Sequence, residues 1–307
     1  MPSTGRIFLD LVFAGLDRIP VPGEEHFARQ FEMMAGGMYN AARALHRLGV
    51  HVELAADLGN DLPSKIIREL WEVDGLPDAF LRWHDKPTVA VTCSFSLADD
   101  RAFLSYIDEK PVPLADPAII DEHDVKCVLL SGIPENDIFI PLLERAKARD
   151  IPIYMDSQFD HPPMTQSWMP RLISLVDTLF CNEGESKALS GKQEVEDAGR
   201  VLGEMGPTVV IKLGGKGALL TKNDSSFRLP APPLNVVDTT GAGDCFVAGF
   251  CYAKLHGYDD RSALAHAITC GSLSCGGVGG AAAPSEDELL ASIKNTSADL
   301  SVTMDNL

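Results

Sequence analysis

Residues Val236 to Phe250 read VVDTTGAGDCFVAGF, and the rest of the chain is organised around this stretch. The apolar pair Val236–Val237 stops at Asp238. Gly241, Ala242 and Gly243 put small residues in a row, and Asp244 follows at once. Phe246, Val247 and Phe250 then fall at helical spacing, with Gly257 near the expected end. The pattern predicts a strand end, a tight glycine turn and a helix. Such a turn suits an anion. Glycine lets the backbone approach closely, and the first N–H groups of a helix lack internal partners and carry partial positive charge. A carboxylate beside that pocket is a poor phosphate ligand, but it can take a proton from an attacking hydroxyl. Two commoner glycine motifs are excluded. Gly215-Lys216 is followed by Gly217 where a Walker loop needs Ser or Thr, and Phe246 stands where a dinucleotide fingerprint needs its third glycine.

The full Asp-Thr-Thr-Gly-Ala-Gly-Asp run resembles the second signature of the PfkB, or ribokinase-like, carbohydrate kinases. The first signature of that family has a counterpart in residues 35–49, AGGMYNAARALHRLG. Here Gly36 and Gly37 precede Asn40, apolar residues follow at helical spacing, and Gly49 closes the segment. The resemblance implies a three-layer α/β/α fold with a mainly parallel central sheet and a small β-sheet lid. It implies a single domain over 1–300, lid segments near 12–34 and 87–110, and a polar tail over 301–307. It implies phosphoryl transfer from ATP, with Mg2+ and a candidate K+, to a primary hydroxyl of a small sugar such as ribose, fructose or 2-keto-3-deoxygluconate. Asp244 would be the base, and the amides of Gly241, Ala242 and Gly243 would stabilise the migrating group.

The resemblance also assigns the acceptor and nucleotide groups. Asp10 interrupts the apolar run RIFLDLVF at 6–13, where a carboxylate is costly unless it binds something. In the family an Asp near this place holds sugar hydroxyls, so Asp10, Gly36, Gly37 and Asn40 are the expected acceptor ligands. Asp17, beside Pro20 and Pro22, is the competitor and reads more like a loop residue. Residues 87–107 alternate apolar and polar around Ala98-Asp99-Asp100, as a hairpin does. Arg101 on it either reaches a substrate oxygen or is solvated. Asn182 and Glu185 match the family's Asn-x-x-Glu motif, which steers Mg2+ and phosphates largely through water; an acidic helix start is the plainer reading. Lys212, Gly214 and Gly217, in TVVIKLGGKGALL at 208–220, would flank the nucleotide. Asp238 and Thr240 resemble half of a monovalent-cation site.

Composition sets the outer bounds. The chain has 307 residues, 45% apolar and 23% charged, with a formal charge of −18. That charge speaks against nucleic-acid or membrane-surface partners. Seven cysteines without a C-x-x-C pair favour reduced thiols in a cytoplasmic protein, and Cys245 reads as a small buried filler. From residue 124 the strand and helix patterns alternate, as in βαβ units. Two further readings stay open. A nucleoside kinase of the same fold would use an aromatic wall, for which Phe13, Phe31, Phe95 and Phe103 are candidates. A non-catalytic sugar sensor is the other. The lid strands are a candidate homodimer surface.

Overall fold

The computed structural model describes residues 2–4, 6–97, 101–108, 113–158, 164–223, 225–234, 236–277 and 282–304, with side chains for all but 2–4, 101 and 296–304. A nine-stranded sheet runs through the body. Its parallel strands are β1 (Pro2–Thr4), β4 (Glu53–Gly59), β5 (Leu81–His84), β8 (Val128–Ser131), β9 (Ile153–Asp156), β10 (Thr178–Asn182) and β11 (Thr208–Lys212). Strands β12 (Ala218–Lys222) and β13 (Ser225–Leu229) extend one edge antiparallel.

The pleat explains why these strands read as continuous apolar runs: both faces are covered. On one side Leu129, Tyr154, Phe180 and Val210 join a core with α1 (Met38–Arg47), α2 (Leu62–Asp74), α8 (Ala242–Leu255) and α9 (Asp260–Ser274). Their neighbours Leu130, Met155, Leu179 and Ile211 point the other way. They meet α3 (Ala118–Glu122), α4 (Ile140–Lys147), α5 (Met169–Leu175), α6 (Glu183–Ser190) and α7 (Val195–Gly203). The result is a three-layer α/β/α body. Helices α8 and α9 lie unusually close at Gly249, where an added Cβ would sit 2.7 Å from Cys270 Cβ and 2.8 Å from the His266 carbonyl oxygen.

A second, four-stranded sheet forms the lid, in the order β3 (Gln30–Gly37), β2 (Ile7–Ala14), β6 (Ala90–Ser96), β7 (Arg101–Ile107). The lid therefore begins at residue 7 rather than near 12, and the strand carrying Asp10 lies in it. The register is unbroken, so side chains alternate strictly between two faces. Asp10, Thr92 and Phe103 share one face. Phe13, Phe31 and Phe95 share the other, where the Phe13 ring meets Phe31 at a tilt, 5.1 Å between centroids, and stacks on Phe95 at 5.9 Å.

One expectation is corrected here. Val236 and Val237 do not end a strand; both are 59% exposed, in an irregular segment. The run Pro230-Ala231-Pro232-Pro233 before them lacks the N–H groups a ladder needs. Helix α10 (Glu286–Met304) runs into the segment assigned to the tail and starts from a reciprocal cap. In that cap the Ser285 N–H donates to Glu288 Oε2 at 2.7 Å and the Glu288 N–H donates to Ser285 Oγ at 3.4 Å. Residues 305–307 and the hairpin tip 98–100 lie outside the described residues. Gly36 and Gly37 are the last two residues of β3, and Gly37, at φ 65°, makes the passage into α1.

Candidate active site

The site forms where α8 begins, against the carboxyl ends of three neighbouring strands. Helix α8 starts at Gly241, held in the left-handed region at φ 75°, and has no side-chain cap. The segment before it is tied down twice. The Val237 N–H donates to the Cys275 carbonyl at 2.8 Å, and the buried Asp238 Oδ1 accepts from the Thr240 N–H at 3.1 Å and hydroxyl at 3.0 Å. One detail departs from the expected trio of amides. The Ala242 N–H donates to the Thr239 carbonyl at 3.2 Å, so in this conformation that amide is engaged within the turn.

Asp244 sits in the first turn of α8, half-buried. Asn40, on α1, donates from Nδ2 to Asp244 Oδ2 at 3.3 Å, a contact across 204 positions of sequence. Asp10 approaches from the lid. It is 9% exposed, and its pKa is pushed up to about 7, first by burial and then by the negative charge of Asp244. The diglycine explains how it fits: a Cβ on Gly36 would lie 1.9 Å from Asp10 Oδ2. Gly36 thus clears the space the carboxylate occupies. Gly37 is constrained differently, since a Cβ there would meet the Arg6 carbonyl oxygen at 2.3 Å. Asp17, the competitor, is 86% exposed and pairs with Arg29 at 3.0 Å on the surface. The side chain of Arg101 lies outside the described residues; its backbone starts β7.

On the opposite flank, β9, β10 and β11 end side by side in Asp156, Asn182 and Lys212. Ligands in open α/β sheets collect at such ends. Asn182 and Glu185 form a full capping box on α6: Asn182 Oδ1 accepts the Glu185 N–H at 2.8 Å, and Glu185 Oε2 accepts the Asn182 N–H at 2.8 Å. Ser157 Oγ donates a second bond to Glu185 Oε2 at 2.8 Å. Lys212 Nζ is bound by both oxygens of Asp156, at 2.7 and 2.9 Å. Burial works to lower the Lys212 pKa, but Asp156, Glu185 and Asp244 outweigh it and hold the ammonium charged. Burial also pushes Asp156 up to about 7 against the pull of Lys212. Asp156 and Ser157 were missed in the sequence. The signal was there: IPIYMDSQ is an apolar strand that stops at a carboxylate.

Gly214 and Gly217 lie in a single 3₁₀ turn (Gly214–Lys216) and its exit. Gly217 is required for packing, because a Cβ would fall 2.0 Å from the Leu229 carbonyl oxygen. Cys245 is wholly buried and burial pushes its thiol up to about 12, so it is inert filler beside Asp244.

The body, the lid and the capped-strand ends define a phosphotransferase of the ribokinase-like fold, and the comparisons agree. Ribokinase from Arabidopsis thaliana, complexed with ribose and ATP, superposes with a TM-score of 0.79 over 95% of this chain and 98% of that one at 24% identity. A putative ribokinase II from E. coli, in complex with ATP and Mg2+, gives 0.75 over 96% and 98% at 21% identity. In sequence, the cytidine kinase of Thermococcus kodakarensis is 28% identical over 283 residues, 86% of this chain and 93% of that protein. The model of the pfkB family carbohydrate kinases matches residues 1–288, and the chain belongs to that family. Among the described residues no helix is long and apolar enough to cross a membrane.

Proposed function

We propose that the chain transfers the γ-phosphoryl group of ATP to a primary hydroxyl of a small sugar. One observation carries this reading: Asp244 stands between an acceptor side, where Asn40 touches it and Asp10 faces it, and an anion side at the uncapped start of α8 beside Lys212. Asp10, Gly36, Gly37 and Asn40 orient the sugar. Asp244 accepts the proton as the sugar oxygen attacks, and the α8 N-terminus with Gly241 and Gly243 stabilises charge on the transferring group. Asn182, Lys212 and the Gly214–Gly217 turn border the nucleotide. Glu185 and Asn182 offer hard oxygen donors of the kind that hold hydrated Mg2+, which supplies charge neutralisation on the phosphates when bound.

A coupled ADP-release assay tests this with ribose, fructose, 2-keto-3-deoxygluconate, adenosine and cytidine, in K+ and in Na+. Turnover above the acceptor-free background with a sugar supports the proposal, and no turnover with any acceptor defeats it in favour of a sensor. Activation by K+ would support a cation role for the oxygens of Asp238 and Thr240. Turnover confined to nucleosides would favour the second reading. The likeness to a cytidine kinase supports that reading, as does Phe103, 54% exposed on the face that carries Asp10. Phe13, Phe31 and Phe95 do not support it, since they point away. Their face, with the exposed Met33, Leu104 and Tyr106, is the surface through which two copies would pair, a state sedimentation velocity would read.

Gly36→Ala offers a sharper check on the acceptor side. A methyl group in the space of Asp10 Oδ2 must displace the carboxylate. We expect the sugar KM to rise about tenfold, on the scale of one weakened charged hydrogen bond, with the ATP KM unchanged. Equal sugar affinity in Gly36→Ala would remove Asp10 from the acceptor site.

A further inference from the structure

A buried cation is built into this site, and a second residue holds it in place. Lys212 Nζ lies 3.4 Å from where a Cβ would stand on Gly243, the second residue of α8. The Lys212 side chain is 16% exposed and that of its partner Asp156 is 12% exposed. Both oxygens of Asp156 bind the same nitrogen, so the carboxylate fixes the ammonium from below. The two residues end β11 and β9, with β10 between them, so the reach of one to the other spans the strand that carries Asn182.

Such a pair is an odd choice for stability alone. Taking two charges from water costs several kcal/mol per ion, and a well-packed apolar pair of similar size is often no less stable. Its value lies in the field it creates. An ammonium that is already desolvated and oriented needs no reorganisation when negative charge builds nearby. A Cβ at Gly243 would lie in ordinary contact with the ammonium, which places Lys212 against the first turn of α8.

We propose that Lys212 contacts the transferring phosphoryl group directly, as a fixed cation beside the amides of α8, and that Asp156 is its positioning residue. This rests on the kinase reading and deepens it: Lys212 serves the migrating group rather than the diphosphate that stays behind. In the step itself the acceptor oxygen bonds to the γ-phosphorus, the bond from phosphorus to the bridging oxygen of ADP breaks, and the acceptor proton passes to Asp244. Lys212 keeps its protons throughout. Its contribution is charge, and Asp156 contributes by aim.

The test is a double-variant cycle with two readouts, Lys212→Met, Asp156→Asn and both together. Lys212→Met should lower kcat by about 10²- to 10³-fold, the scale for removal of one preorganised donor, and leave the acceptor KM within about threefold. Asp156→Asn should lower kcat by about tenfold in the wild-type background and have no further effect on Lys212→Met, because a positioning residue has nothing left to position. By calorimetry, Lys212→Met should weaken a non-hydrolysable ATP analogue about tenfold and leave ADP within about twofold. Should Lys212→Met fail to fold, because it strands a buried carboxylate, the double variant removes that charge and should melt near wild type while staying at the low kcat. An active double variant, additive effects on kcat, or an equal loss of ADP and analogue binding would each overturn the proposal. Failure of the kinase reading looks different, since there the wild-type protein releases no ADP with any acceptor.

Discussion

Asp244→Asn should bind nucleotide as the wild type does and lose about 10²- to 10⁴-fold in kcat, the scale on which a general base contributes. The substitution preserves shape, and the Asn40 contact at 3.3 Å can be kept by an amide oxygen. What is lost is an acceptor for the sugar's proton. Two neighbours make the carboxylate suited to that task. It stands between a cation and a second acid: its charge helps hold the Lys212 ammonium protonated and helps push the Asp10 pKa up. The check is steady-state kinetics together with calorimetric nucleotide affinity. A variant within about threefold of wild-type kcat would remove Asp244 from proton transfer.

Asp10→Asn should separate function from stability. For function, losing a charged partner to sugar hydroxyls should raise the acceptor KM by about 10- to 100-fold, the worth of a hydrogen bond to a charged group. For stability the sign is opposite. The Asp10 pKa is raised from 3.8 to about 7 in the fold, so ionising it costs more in the folded state than in the unfolded one. Below pH 3.8 both states hold the proton and no cost exists; the cost develops as pH rises from there to about 7 and is complete above it. Wild type and Asp10→Asn should therefore melt alike near pH 4. Near pH 8 the variant should melt higher, by the equivalent of a few kcal/mol at most. Thermal melts at the two pH values decide it, and a variant less stable at pH 8 would show that Asp10 stabilises the lid rather than straining it. Strain of this kind at a ligand site is a common exchange of stability for function.

Much of this was legible in the sequence, for a physical reason. Strands buried on both faces must be apolar throughout, so VLLS, IYMD and TLFCN announce themselves, and helix starts such as Asn182-x-x-Glu185 carry their caps in the local sequence. What was hidden depends on pairing at a distance. Asp156 and Lys212 are 56 positions apart, and only the order of β9, β10 and β11 brings them together. The edge strands β5 and β13, LRWH and SSFRL, are short and half polar because one side faces water, and nothing local marks them. Val236 and Val237 misled in the other direction. Their apolar character is real, but the prolines before them remove the donors that a strand requires. The diglycine was legible as a motif, yet its reason, room for a carboxylate from the neighbouring strand, was not.

The chain leaves the body after Thr4, forms the lid strand that carries Asp10, and re-enters the body through Gly36 and Gly37 directly into the helix that carries Asn40. The groups proposed to grip the acceptor are thus divided between the lid sheet and a helix of the body. A molecule long enough to reach both would act as a fastener, and one that reaches the lid alone would not. On this geometry the supplier of the hydroxyl is also the clasp. Slower amide exchange in residues 7–14 on adding a true acceptor, and none on adding a truncated polyol, would register the difference.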